Sequence, residues 1–555
     1  MTNNKDLELL KLMLSFAKPY KKTLLATLFI LPLSSIAYSI QPFIIQKAVD
    51  GPLKTGDYGL LQNYVLFFLA AITVNFFIHL SQIWIINSTA QKIITDIRQK
   101  LFEHLEKLPM SFFDKSPIGR TVTRITSDVE QLTDSFAGGL ISVVIDLFNI
   151  VTIIAFMLYI NWKLCLILVF FLIPVTIIAN HFQKSYRTSN LNARKKLSAL
   201  NSFLQQNIVG ISVVQMLNCA DKNKKIFNDS NEEYFKANDK SIWADSNFSA
   251  GIELISIISM VALIFISKEI LIKQALSIGT IIAFLQYAQT LFDPIRNLSD
   301  RFTTIQSGFT AAERISELLL EDASIIETDD KTLKLKNKDS EYLIEFDDIW
   351  FKYNTEEKNE WILQGLSFKV KKNEFIAITG KTGAGKSTII KLLTRLYEPQ
   401  KGSIKILGTD IKDISYKELR KFLSVIHQDS YIFSGNLESN IHLNRKDIDL
   451  SQAKPFLRAL KMNLDTELNE RASNISAGEE QVINFARAVV STPQLLILDE
   501  ATAKIDLSTE AFIQHELEKY RQDKTLLVIA HRLETIKHAD KVISIQDGQA
   551  HLQVN

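Results

Sequence analysis

Gly380-Lys381-Thr382-Gly383-Ala384-Gly385-Lys386-Ser387-Thr388 decides the fold of the second half of this 555-residue chain. Four residues separate Gly380 from the Gly385-Lys386-Ser387 step, and the apolar run Phe375-Ile376-Ala377-Ile378-Thr379 leads straight into it. Strand, glycine-rich loop and helix in that order predict a phosphate-binding loop. Glycines let the backbone turn its N–H groups onto a polyphosphate, Lys386 can reach the β and γ phosphates, and the Ser387 hydroxyl can ligate Mg2+. The helix expected to run on from Ser387 points its positive end at the same anion. ATP or GTP binding is the expectation.

Around this motif the composition is uneven. The mean hydropathy of +0.08 is high for a chain with 22% charged residues, because long apolar runs fill the part up to about Ser299 while charged helices and short strands fill the rest. The length asks for at least two domains. A net charge of +2 gives no reason to invoke nucleic acid. Cys165 and Cys219 are the only cysteines, one in an apolar run and one in a polar stretch, so neither a disulfide framework nor a cysteine metal site is implied.

Six segments reach the length of about 20 apolar residues that a helix needs to cross a bilayer. They are 23–45, 60–86, 136–160, 164–182, 250–271 and 278–298. The first is too long for a cleaved signal peptide and lacks a small-residue cleavage pattern. Lys18, Lys21 and Lys22 precede the first span, and the long connections after the second and fourth are rich in Lys and Arg. The remaining connections, 50–58, 161–163 and 273–277, are short and nearly uncharged, so the positive-inside rule leaves both termini in the cytoplasm. The long connections read as helical arms able to touch a cytoplasmic domain. Pro109-Met110-Ser111-Phe112-Phe113-Asp114 interrupts the first arm, and Ile208-Val209-Gly210-Ile211-Ser212-Val213-Val214 is an apolar patch in the second. Apolar patches on exposed arms mark docking surfaces, or else a small local core between the arms.

After a helix over 311–320 and a polar linker, Tyr342-Leu343-Ile344-Glu345-Phe346 opens the nucleotide domain. Tyr353, before a loop, is a candidate to stack on a nucleotide base. Gln494-Leu495-Leu496-Ile497-Leu498-Asp499-Glu500 reads as a buried parallel strand ending in two acids, where ligands bind in open α/β sheets. Asp499 is placed to hold hydrated Mg2+ and Glu500 to act as general base. The strand Leu526-Leu527-Val528-Ile529-Ala530 ends at His531, a candidate γ-phosphate contact.

These marks together resemble a half-transporter of the ATP-binding cassette (ABC) exporter group. The resemblance rests on 380–388, on Gln428, on Ile475-Ser476-Ala477-Gly478-Glu479, on Asp499-Glu500, on Ala503-Lys504-Ile505-Asp506 and on Ala530-His531-Arg532. It implies a membrane domain of six transmembrane helices with long cytoplasmic extensions (1–320), a linker (321–341) and an α/β ATPase domain of the ABC type (342–555). It further implies that ATP and Mg2+ are bound by Tyr353, Gly380, Thr382, Gly383, Ala384, Gly385, Lys386, Ser387 and Thr388. Ser476, Gly478 and Glu479 would act on the ATP of a second subunit. Ser387, Gln428 and Asp499 are the implied metal contacts, and Glu500, His531 and Gln428 the implied catalytic set. With one nucleotide domain and no internal duplication, the chain is expected to pair with a second half-transporter, identical or not, in the cytoplasmic membrane. The second arm would dock on that partner. By analogy alone a large apolar cavity is expected, with a lipid, a lipid-linked molecule or a drug-like compound as cargo.

The signature departs from the usual Leu-Ser-Gly-Gly-Gln-Arg, because Glu479 and Glu480 replace an amide and a cation. At roughly 10 Å and an effective dielectric near 40, each like-charge contact with a phosphate costs on the order of 1 kcal/mol. Ser476 and Glu479 also have the spacing of a capping box. The departure is either a tolerated variant or the mark of a heterodimer in which this signature faces a non-hydrolysing site. An ATP-gated channel or a non-transporting regulator would keep the same motifs. Within the spans, Asp146 and Glu253 are either cargo contacts or, near the cytoplasmic ends, interfacial solvated carboxylates, the simpler account; His79 is a similar candidate, and Asp293 beside Pro294 reads as part of a helix distortion.

Overall fold

The computed structural model describes residue 11 and residues 15–272, 277–323, 340–353, 360–428, 431–443, 449–470, 473–499, 507–530 and 536–554. The chain separates into two compact units, Met1–Glu103 with Thr121–Leu320 and His104–Arg120 with Glu321–Asn555. The first arm tip thus clusters with the nucleotide region and not with the membrane helices that it joins.

In the first unit, apolar runs become helices because only a helix satisfies every backbone group of a single segment in lipid. Among the described residues, four helices are long and apolar enough to cross a membrane: Ser15–Leu53, Tyr58–Leu105, Ile118–Ile177 and Ala220–Ser267. The third holds two of the expected spans. They part at Asn161 (φ −159°, ψ 106°), whose Oδ1 accepts from the backbone N–H of Lys163 at 3.0 Å and of Leu164 at 3.2 Å. The sixth expected span forms the first half of the helix Ile278–Leu320 and is not among the four, because Gln286, Gln289 and Asp293 dilute it.

The first and last membrane helices are bonded side to side. Tyr287 donates to the Ser39 carbonyl at 2.7 Å, Gln46 Nε2 to Thr280 Oγ1 at 2.8 Å, and the Gly279 N–H to Asp50 Oδ1 at 2.8 Å. The same helix presses on Ser135–Ile141: a Cβ built on Gly308 would lie 2.0 Å from Ser135 Cβ. Only a residue without a side chain permits that approach.

The second unit holds two main sheets. β1 (Tyr342–Phe351), β2 (Leu363–Lys371), β4 (Lys401–Ile406) and β5 (Thr409–Asp410) form an antiparallel sheet in the order β2-β1-β4-β5. β3 (Phe375–Gly380), β6 (Leu423–Ile426), β9 (Leu495–Asp499), β10 (Thr525–Ile529), β11 (Lys541–Gln546) and β12 (Gln549–Val554) form the larger sheet in the order β12-β11-β3-β10-β9-β6. All its neighbours are parallel except β11 and β12. The remaining strands, β7 (Gly435–Asn436) and β8 (Glu467–Leu468), pair alone. β10 is buried throughout and β9 up to Asp499, as unbroken apolar runs covered on both faces must be. β2 alternates buried and exposed residues. Phe346 and Phe368 stack at 4.4 Å in the core shared by the sheets, which also receives Ile389, Ile390, Leu392 and Leu393 of the helix Lys386–Leu393. The helix Ala477–Val489 packs Val482, Ile483 and Phe485 into a second core with Leu496 and Leu498.

Candidate functional site

The loop after β3 takes its shape from its glycines. Gly380, Gly383 and Gly385 have φ of 151°, 85° and 97°, values that L side chains rarely adopt. A Cβ on Gly380 would also meet the Ile545 carbonyl at 2.6 Å. Lys386, only 7% exposed, folds back so that Nζ donates to the carbonyls of Gly380 at 2.7 Å and Lys381 at 3.1 Å. Its ammonium therefore sits at the loop whose N–H groups were expected to receive phosphate. Ser387 is exposed and Thr388 buried in the first turn of the helix.

Gly380 to Ala384 of this loop line a cavity of about 1240 Å3 together with Tyr353, Tyr397, Lys391 and, from the first arm, Asp114, whereas Gly385 to Thr388 do not. Tyr353 shares a 3.3 Å hydrogen bond with Thr388 Oγ1, and its ring meets that of Tyr397 edge-on at 5.1 Å. Tyr397 in turn donates to the Asp114 carboxylate, and Lys391 Nζ stands 3.8 Å from the same group. Burial, and then the Asp114 carboxylate, push the Tyr397 hydroxyl above its ordinary pKa of 10.0, so it remains a donor at neutral pH. The sequence reading missed Tyr397 and Lys391. Only the chain's return across 283 positions brings Tyr397 to Asp114, and no local pattern announces it.

At the carboxyl edge of the larger sheet, Ile378, Ile529 and Asp499 share one register level on β3, β10 and β9. One strand thus separates Asp499 from the strand that carries the loop, roughly 10 Å at ordinary strand spacing. Gln428 is exposed two residues beyond β6, the strand outside β9. Neither lines the 1240 Å3 cavity. Glu500, residues 503–506, His531 and Arg532 lie outside the described residues.

Ser476 caps the helix Ala477–Val489 in the expected capping box. Glu479 N–H donates to Ser476 Oγ at 3.3 Å, while Glu479 Oε2 accepts from both Ser476 N–H and Ser476 Oγ at 2.8 Å. The hydroxyl expected to meet phosphate is therefore bound to a carboxylate. Ser476, Gly478 and Glu479 are not among the residues around the chain's own phosphate loop.

In the first unit, a cavity of about 750 Å3 collects His79, Asp146 and Asp293. Its lining mixes apolar side chains such as Ile83, Ile86, Ile145 and Ile153 with amides, hydroxyls and carboxylates drawn from several helices. Asp293, read as part of a helix distortion, lines it, whereas Glu253 pairs with Arg296 and does not.

Residues 24–295 match the family described as the ABC transporter transmembrane region, and residues 363–503 the family described as ABC transporter. The chain is 32% identical to the ABC transporter ATP-binding protein YknV of Bacillus subtilis (strain 168), over 97% of this chain and 90% of that protein. It is 30% identical to YgaD of the same organism, named as a multidrug export ATP-binding/permease protein, over 97% of this chain and 95% of the relative. To the ATP-dependent lipid A-core flippase of Desulfotalea psychrophila it is 29% identical, over 99% of this chain and 96% of the flippase.

Proposed function

This chain belongs to the ABC transporter family as an integral membrane half-transporter that couples ATP hydrolysis to export, and on that footing we propose how its parts divide the work. ATP enters the cavity with its base against Tyr353 and its phosphates on residues 380–388, where Lys386 exchanges loop carbonyls for phosphate oxygens. Asp499, Gln428 and Ser387 offer hard oxygen donors of the kind Mg2+ takes, and the ion when bound neutralises charge on the β and γ oxygens. Glu500 polarises the attacking water and His531 contacts the γ-phosphate. The cargo is amphipathic: a lipid, a lipid-linked molecule or a drug-like compound. The membrane is the cytoplasmic one, with both termini inside.

The observation that carries this reading is Asp114, an arm residue in the wall of the nucleotide cavity. Filling or emptying the cavity acts directly on a segment that continues into membrane helices. ATP binding then moves the equilibrium between inward and outward states by its differential affinity for them.

Half-transporters of this family dimerise, and the Ser476–Glu479 bond favours a partner of different sequence. A carboxylate on the signature hydroxyl opposes a phosphate, so the partner's ATP site facing this signature binds without turning over, while Glu500 serves the productive site. The test is ATPase activity of the purified, reconstituted chain expressed alone, beside Glu500→Gln. Negligible turnover in well-folded, ATP-binding protein is expected, with activity restored by the co-purified partner. Robust activity of the lone chain, lost in Glu500→Gln, would show a self-sufficient homodimer. No ATPase activity with any partner would sink the assignment of Glu500 itself.

A further inference from the structure

Three carboxylates, Asp134, Asp146 and Asp293, line the 750 Å3 cavity of the first unit, against one guanidinium, Arg301. Arg301 faces Asp146, with Nε 3.8 Å from its carboxylate and so in ion-pair range but beyond a hydrogen bond, and its Nη1 donates to the Gly138 carbonyl at 2.9 Å. Arg296, one turn beyond Asp293, is paired with Glu253. Two carboxylates are thus left without a cation of their own in the lining. Independently of this charge, Gln82 lines the same cavity at only 3% exposure, and its Oε1 is buried without a hydrogen-bond partner among the described residues. A buried acceptor left bare costs about 1–3 kcal/mol, and a donor arriving from the cavity would recover it. Asn149 accepts from Ser35 at 2.7 Å through its carbonyl and lines the cavity beside these groups.

An acceptor-rich, negatively charged cavity selects a donor-rich cation. No group of three or more His, Cys, Asp or Glu among the described residues stands close enough to hold a metal ion. The carboxylates act as separate anchors, which suits an extended organic cation better than a compact metal. We propose that this cavity binds the polycationic part of the cargo, a segment bearing at least two ammonium or guanidinium groups, with Asp134 and Asp293 as its ionic anchors and Gln82 Oε1 as an acceptor between apolar walls. The proposal rests on the exporter reading and narrows its cargo class: whatever apolar portion the cargo has, its polar end is a polyamine-like cation.

The test is calorimetric titration of spermidine into the full-length protein, with its partner where one co-purifies, in phosphatidylcholine nanodiscs without nucleotide. Saturable binding is expected, weakened about tenfold by Asp293→Asn and by Gln82→Leu, since each removes one hydrogen bond or charge contact. Asp293→Glu should retain it, and butylamine, with one charge, should bind at least tenfold more weakly. Gln82→Leu removes an unsatisfied group at similar volume and so keeps the test open if the aspartate variant fails to fold. Absence of saturable spermidine binding, or equal binding by all variants, overturns the proposal. ATP-driven uptake of a neutral lipid by inside-out vesicles with no spermidine binding also overturns it and leaves the exporter reading standing. Spermidine binding with this variant pattern, in vesicles that accumulate no cargo with ATP, supports the cavity and sinks the exporter reading.

Discussion

The two arms of this protein end differently. At the first, Phe112 is 8% exposed, and Asp114 is held by Tyr397 and faced by Lys391. At the second, the helix Ile211–Met216 and its flanks leave Val209 81%, Met216 77% and Ile208 69% exposed. Both segments carry apolar side chains at the turn of a helical arm, so composition does not separate them. Partnership does: the first tip closes on its own chain, and the second presents an apolar surface of the kind that marks a contact site. On the proposed pairing with a second half-transporter, that neighbour would supply the contact, each half being gripped by one arm of its own and one of its partner.

Four variants test this contrast. Phe112→Ala should cost the second unit about 3 kcal/mol, the usual loss for a buried phenylalanine, read as a lowered transition in calorimetry. An unchanged transition would mean that the first tip is not packed. Val209→Asp combined with Met216→Asp should leave the lone chain's stability within about 0.5 kcal/mol, because both residues are exposed. In the assembled transporter the same pair should lower vesicle transport at least tenfold, since a charge is forced into an apolar contact. Full transport would show that the second tip stays in water. Tyr397→Phe removes one hydrogen bond to a carboxylate and should cost about 1.5 kcal/mol. Its pH signature has a definite sign. Because burial and Asp114 hold the Tyr397 hydroxyl above 10.0, the contribution is complete below pH 10 and declines only as pH rises from there toward the raised value. The phenylalanine variant should lack that alkaline decline. Smallest is Lys391→Gln: an ion pair at 3.8 Å between groups 35% and 37% exposed should be worth a few tenths of a kcal/mol and vanish in high salt.

The parts that could be read in the sequence were those whose chemistry is local. Gly380, Gly383 and Gly385 adopt positive φ, so glycine there is a conformational requirement visible in a linear motif. The Ser476–Glu479 capping box follows from a three-residue spacing and is present. Asn161 marks its turn because a short side chain caps the next helix. What was missed is assembled at long range. Asp134 and Gln82 were not singled out and Asp293 was read as a helix distortion, because one polar residue says nothing of its neighbours across the cavity when averaged over its own helix. Nothing around Pro294 distinguishes a carboxylate that distorts a helix from one that faces a cavity. Tyr397 likewise has no meaning until Asp114 is beside it.

The seam between Gly308 and Ser135 bears on how such a molecule moves. Backbones that meet with no room for one carbon atom, a Cβ on Gly308 falling 2.0 Å from Ser135, cannot slide or pivot against each other without a clash. Residues 135–141 and the helix Ile278–Leu320 are therefore locked closely together at this seam, and a larger side chain at position 308 would force them apart. Tyr58–Leu105 lies outside that seam, and none of its most apolar window is buried within the chain.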